Sequence, residues 1–130
     1  MLKHFFKTNY LNIIYALAAI TVLYFISLYS YILYHSIAEL FSIVIASSIF
    51  IIAWNSKKFL DNNYLLFVGI AFFFLAILDL FHTLAYKGMG IFLNFTGSNL
   101  ATQLWIASRY FESISLLLAI IFIKYNYRGL

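Results

Sequence analysis

The chain has 130 residues, of which 65% are hydrophobic and 9% charged. A soluble domain carries about 25% charged residues, so this composition cannot supply a wettable surface and points to an integral membrane protein. The net charge of +4 is therefore a topology signal and not a nucleic-acid signal, and the absence of cysteine and proline excludes disulfides, thiolate chemistry and proline kinks.

Met1 to Asn9 is a short basic lead with Lys3, His4 and Lys7. The apolar run from Tyr10 to about Leu33 is long enough to cross a hydrocarbon core, which takes about 20 residues. It is too long for a signal-peptide core and has no small-residue cleavage site. It reads as a retained first helix.

Tyr34-His35 is expected to form a tight turn. Ser36-Ile37-Ala38-Glu39 fits a capping box, in which Ser and Glu satisfy each other's backbone amides. A second helix then runs from Ser36 to about Asn55, with Trp54 at the interface. Lys57, Lys58 and Asp61 lie in the next turn, with Asp61 a candidate cap for a third helix from about Asn62 to Ala85.

That third helix ends in Leu78-Asp79-Leu80-Phe81-His82-Thr83-Leu84-Ala85-Tyr86-Lys87-Gly88-Met89-Gly90, around which the chain is organised. Asp79 and His82 are three apart and share a helix face. An ionisable residue inside a membrane span is costly and marks a functional site by default. The connection from Tyr86 to Ser98 is the longest and suits a ligand-facing segment. Asn94-Phe95-Thr96 matches a glycosylation acceptor, a weak signal. Asn99 is expected to cap a fourth helix to about Ile123, which carries Arg109 and Glu112. Lys124 to Leu130 forms a short tail.

The fold class is thus all-α, an integral membrane bundle of four transmembrane helices. Lys3, Lys7, Lys57, Lys58, Lys124 and Arg128 fall on one side, and Lys87 alone on the other. Basic loops stay inside, so both termini are expected in the cytoplasm of a multi-pass inner-membrane protein.

Depth along each helix follows from a rise of about 1.5 Å per residue. Asp79 lies about 9 Å below the outer end of its helix, and Arg109 about 15 Å into the next. Side chains tilt towards their own helix N-terminus, which brings these two to a common level. Trp105, Arg109, Glu112 and Leu116 form one stripe of the fourth helix, with Thr102 above them. An inward-facing cluster of His35, Glu39, Asp79, His82, Arg109 and Glu112 is expected in the outer half of the bundle. Three acids against one arginine leave a formal charge of −2. Protonated acids, charged histidines or a bound cation must make up the difference.

Each residue also has a plainer role. Glu39 serves a capping box, and His35 is a solvated turn residue. Asp79 with Arg109 locks two helices in register, and Glu112 pairs with Arg109 on its own helix. His82 stabilises the carboxyl end of its helix, and Trp105 packs or faces lipid. A metal is one further alternative, with His35, Glu39, Asp79 and His82 as nitrogen and oxygen ligands suited to zinc, iron or copper. Haem with a histidine axial ligand is another. No nucleophile–base pair, phosphate loop or dinucleotide fingerprint is present, so no catalysis is expected. A small transporter or proton-pathway subunit is the alternative function, since acids and histidines lie at several depths. The apolar run Leu116 to Ile123 argues against it.

Four stretches are similar, in order, to a known family. They are His35 to Ala46 (beginning His35-Ser36-Ile37-Ala38-Glu39), Ile52-Ala53-Trp54-Asn55-Ser56, Asp79 to Gly90, and Asn99 to Ser113, which includes Trp105-Ile106-Ala107-Ser108-Arg109-Tyr110-Phe111-Glu112. Together they resemble the bacterial membrane-associated sensor domain of the MASE type, third class, over roughly Ile32 to Leu118. The resemblance implies an N-terminal input module of a sensor histidine kinase or diguanylate cyclase, acting as a homodimer when complete. It places the family's polar motif on His35, Glu39, Asp79, His82, Trp105, Arg109 and Glu112. It also implies further helices and a cytoplasmic output domain, so this chain reads as a truncated form or one that works through a partner.

Overall fold

The computed structural model describes residues 2–59, 63–92 and 99–125, with side chains from Asn9 to Ile121 within those ranges. The architecture is all-helical: α1 Leu2–Tyr29, α2 Tyr31–Ser56, a 3-10 turn Lys57–Phe59, α3 Tyr64–Leu84 and α4 Asn99–Tyr125. Each of the four helices contains a stretch long and apolar enough to cross a membrane. In a bilayer every backbone polar group must be satisfied internally, and a helix achieves this within one segment. The expected Asp61 cap and the Asn94 acceptor lie outside the described residues.

The chain divides into two units, Met1–Ser36 and Ile37–Leu130. The first holds α1, the single-residue break at Ser30 and the opening of α2. Here the sequence expectation is corrected. The turn expected at Tyr34-His35 is helix, and the break comes earlier. Ser30 explains why, because its Oγ accepts a hydrogen bond from the Leu33 amide at 3.3 Å. Its carbonyl accepts one from the Tyr34 amide at 3.0 Å. Ser36 lies inside α2 and donates to the Ile32 carbonyl at 2.8 Å, so it forms no capping box with Glu39. Back-bonding to the fourth residue before it suits a serine within a helix as well as a cap suits one at its start. The basic lead also departs from expectation, being part of α1.

The second unit holds the rest of α2 with α3 and α4. Many of its buried positions are small residues seven apart. Ala46 and Ala53 are buried on α2, Gly69, Ala76 and Thr83 on α3, and Ala101, Ser108 and Ser115 on α4. A repeat of seven keeps one seam facing its neighbours. Small residues there let backbones approach closely, which is how helices associate in lipid. The approach is tight at Gly69, where an added Cβ would overlap the Ala53 side chain and stand 3.5 Å from the Phe50 Cα. Phe50 and Phe73 then pack against each other, ring centroids 4.7 Å apart and planes tilted by 37°. Large apolar side chains such as Phe74, Tyr110 and Leu117 point outward, where a bilayer would receive them. At one end of α2, the Lys57 ammonium sits 3.5 Å over the Trp54 ring, a cation–π contact fitting an interfacial aromatic.

This seam corrects the expected polar stripe of α4. The buried line runs through Ala101, Ser108 and Ser115, one residue ahead of the line through Thr102, Arg109 and Leu116. Trp105 and Leu116 are both exposed. The smallest side chains take the tightest contact, and Arg109 reaches the interior from the flank.

Candidate functional site

Asp79 sits between the last two turns of α3 and is 1% exposed. Its backbone carbonyl accepts the Thr83 hydroxyl at 2.7 Å. Its carboxylate faces α4. Arg109 Nη2 lies 2.9 Å from both Oδ1 and Oδ2. The Ser108 hydroxyl donates to Oδ1 at 2.6 Å. A hydroxyl has one hydrogen to give, so Ser108 then accepts, from Arg109 Nη2 at 2.8 Å and from Nε at 3.2 Å. Nη1 of the same guanidinium donates to Glu112 Oε2 at 2.7 Å, one turn along α4. Asp79, Ser108, Arg109 and Glu112 thus form one network across two helices, with one formal negative charge in excess. Such charge-assisted bonds are short and directional, and they fix helix register.

A second polar pair lies one turn nearer the α3 carboxyl end. His82 Nδ1 is 2.8 Å from the Ala101 carbonyl oxygen of α4. His82 Nε2 is 3.8 Å from Glu39 Oε1 of α2. His82 is therefore tied to a neighbouring helix while lying in the last turn of its own. Glu39 is mid-helix and partly buried.

His35 stacks on Tyr31, ring planes 6° apart and centroids 6.2 Å apart. Trp105 is turned outward and flanks, with Ile106, Tyr110 and Ser113, an open groove of about 330 Å³ reached by Arg109. Asp79, weighed as a metal ligand beside Glu39 and His82, is instead directed at Arg109 and Ser108.

Three contributors were not anticipated: Ser108, the Thr83 hydroxyl and the Ala101 carbonyl. The signal for Ser108 is the seven-residue recurrence Ala101, Ser108, Ser115, which marks the contact seam.

The model of a membrane-associated sensor domain, MASE3, matches residues 26–129, most of the chain. The chain belongs to the MASE3 family. No curated protein and no solved structure matches it. The matched span of this MASE3 domain takes in all of α2, α3 and α4, and so every residue of the two polar groups described above. The family description makes it a membrane sensor module.

Proposed function

We propose that this MASE3 domain is the signal-input module of a histidine kinase or diguanylate cyclase in the inner membrane. A stimulus acts on the polar residues and is passed along α4 to the output. Buried charge carries the reading. The Asp79 network ties α4 to α3 through one guanidinium, and its acids exceed its bases. Whatever alters that balance changes the relative stability of two α3–α4 arrangements, which any ligand-driven switch requires. His35, Glu39, Asp79, His82, Trp105, Arg109 and Glu112 form the sensing set. His35 is included on its four-residue spacing from Glu39, and Trp105 on its turn with Arg109. The six-to-one distribution of basic residues supports cytoplasmic termini. A cytoplasmic output would then join the inner end of α4, and a homodimer is the expected assembly. The domain itself does no catalysis.

The experiment is a graft of the domain onto a kinase or cyclase output, with D79N, H82A and R109A compared with the unaltered hybrid. The expected result is altered basal output in each variant. Three variants indistinguishable from the parent, in basal activity and in response, would reject the reading.

A further inference from the structure

The open groove beside Arg109 supports an inference that rests on the sensor reading and names the class of stimulus. We propose that this groove binds a lipid-soluble quinone, an uncharged planar ring whose carbonyls accept hydrogen bonds.

The groove measures about 330 Å³ and is lined by Trp105, Ile106, Arg109, Tyr110 and Ser113, all on α4. Its depth sets what can reach it. At about 1.5 Å per residue, Arg109 and Tyr110 stand about 15–17 Å from the start of α4. That is near the middle of a membrane span of 23 residues. Tyrosines that face lipid are enriched at the headgroup level, where the hydroxyl stays wet. Tyr110 is 67% exposed, yet lies at mid-depth. The hydrocarbon core offers no water to bond there.

The hydrogen bonds leave donors over. Nη2 and Nε of Arg109 are taken up by Asp79 and Ser108. One Nη1 hydrogen goes to Glu112. A guanidinium has five N–H donors, so the second Nη1 hydrogen has no acceptor among the described residues. The Tyr110 hydroxyl and the Trp105 indole N–H have none there either. Ser113 spends its only hydrogen on the Arg109 carbonyl at 2.8 Å. The groove thus has three donors to satisfy and, hydroxyl oxygens apart, no side-chain acceptor for them.

That surplus selects the ligand. It must bring acceptors, which a second copy of this groove would not do, since it carries the same donors. It must be uncharged, because the Asp79, Arg109 and Glu112 network already has one negative charge in excess, which a phosphate or carboxylate would meet. It must dissolve in hydrocarbon, because the groove opens at mid-depth. Trp105 and Tyr110 add aromatic faces for a flat ring. A quinone meets all four conditions. Its carbonyl would bond the same guanidinium that joins α3 to α4, so occupancy bears directly on that link.

The test is titration of the full chain in neutral-lipid nanodiscs with a decyl-substituted benzoquinone, which quenches indole fluorescence on contact. The chain has two tryptophans, so W54F leaves Trp105 as the reporter and W105F leaves Trp54. Saturable quenching at one quinone per chain is expected in W54F, and weak, non-saturating quenching in W105F. Y110F, added to W54F, removes one exposed hydroxyl and should weaken binding about fivefold. R109Q should weaken it more, with thermal unfolding measured alongside. Y110F decides if R109Q fails to fold. The proposal is overturned if Trp105 quenching never saturates, if Trp54 is quenched as strongly, or if Y110F binds as tightly as its parent. It is also overturned if S113C cross-links between chains while Trp105 stays unquenched, which would put a second copy on the groove. The grafted hybrid separates this from the sensor reading. A hybrid altered by D79N and R109A, beside a chain that binds no quinone, rejects the quinone and leaves the sensor. Saturable binding beside an indifferent hybrid does the reverse.

Discussion

A single nitrogen of Arg109, Nη2, lies 2.9 Å from both carboxylate oxygens of Asp79, across the α3–α4 seam. Asp79 is almost fully buried, while the Arg109 side chain remains 38% exposed. The two partners are therefore unequal. Removing the arginine strands a buried carboxylate, whereas removing the carboxylate leaves a cation that can turn outward.

That asymmetry predicts an order of stabilities. R109A should cost about 3 kcal/mol, in the range for breaking a buried pair from one side. D79N should cost less, and an apolar replacement of both residues less than R109A alone. Unfolding in mixed micelles, followed by helical circular dichroism, measures the order.

Ser108 is fully buried and joins Asp79 to Arg109. S108A should destabilise by about 1–3 kcal/mol, since it leaves a buried acceptor one partner short. S113A should change little, because the exposed Ser113 hydroxyl bonds only back to the Arg109 carbonyl. The same unfolding assay compares the two.

Gly69 of α3 meets Ala53 of α2 with no room for a further Cβ. G69A forces a Cβ into the Ala53 side chain and should cost about 1–3 kcal/mol as overpacking. A53G opens that space, so G69A/A53G should recover much of the loss. A double variant no more stable than G69A would place the effect elsewhere.

The orientation is open to a clean labelling test, because the chain has no cysteine of its own. K87C should react with a membrane-impermeant maleimide added outside intact cells. K57C should react only after permeabilisation. The opposite pattern would invert the topology.

Much of this was legible in the sequence, for physical reasons. Apolar runs must be helices in a bilayer, so the four spans follow from length. The approach of Asp79 to Arg109 follows from opposed side-chain tilt on antiparallel helices. Helix rotation was harder to read. Polar residues drew the expected inner face of α4 through Arg109, while packing set it by the smallest side chains, through Ser108. An arginine is long enough to enter a seam from its edge, so its position along the helix fixes the rotation poorly. The start of α2 was misplaced because Ser36 followed by Glu39 reads equally well as a cap and as a back-bonding serine. Ser30 was the true punctuation, and nothing in its immediate neighbours marks it.

The most direct trial of the account is a double-mutant cycle on signalling output rather than on stability. D79N, R109Q and the double variant would be compared in the kinase or cyclase hybrid. If the Asp79–Arg109 link transmits the signal, each single change shifts basal output and the double change shifts it no further than the stronger single one. Three hybrids with parental output, or two effects that add independently, would contradict it.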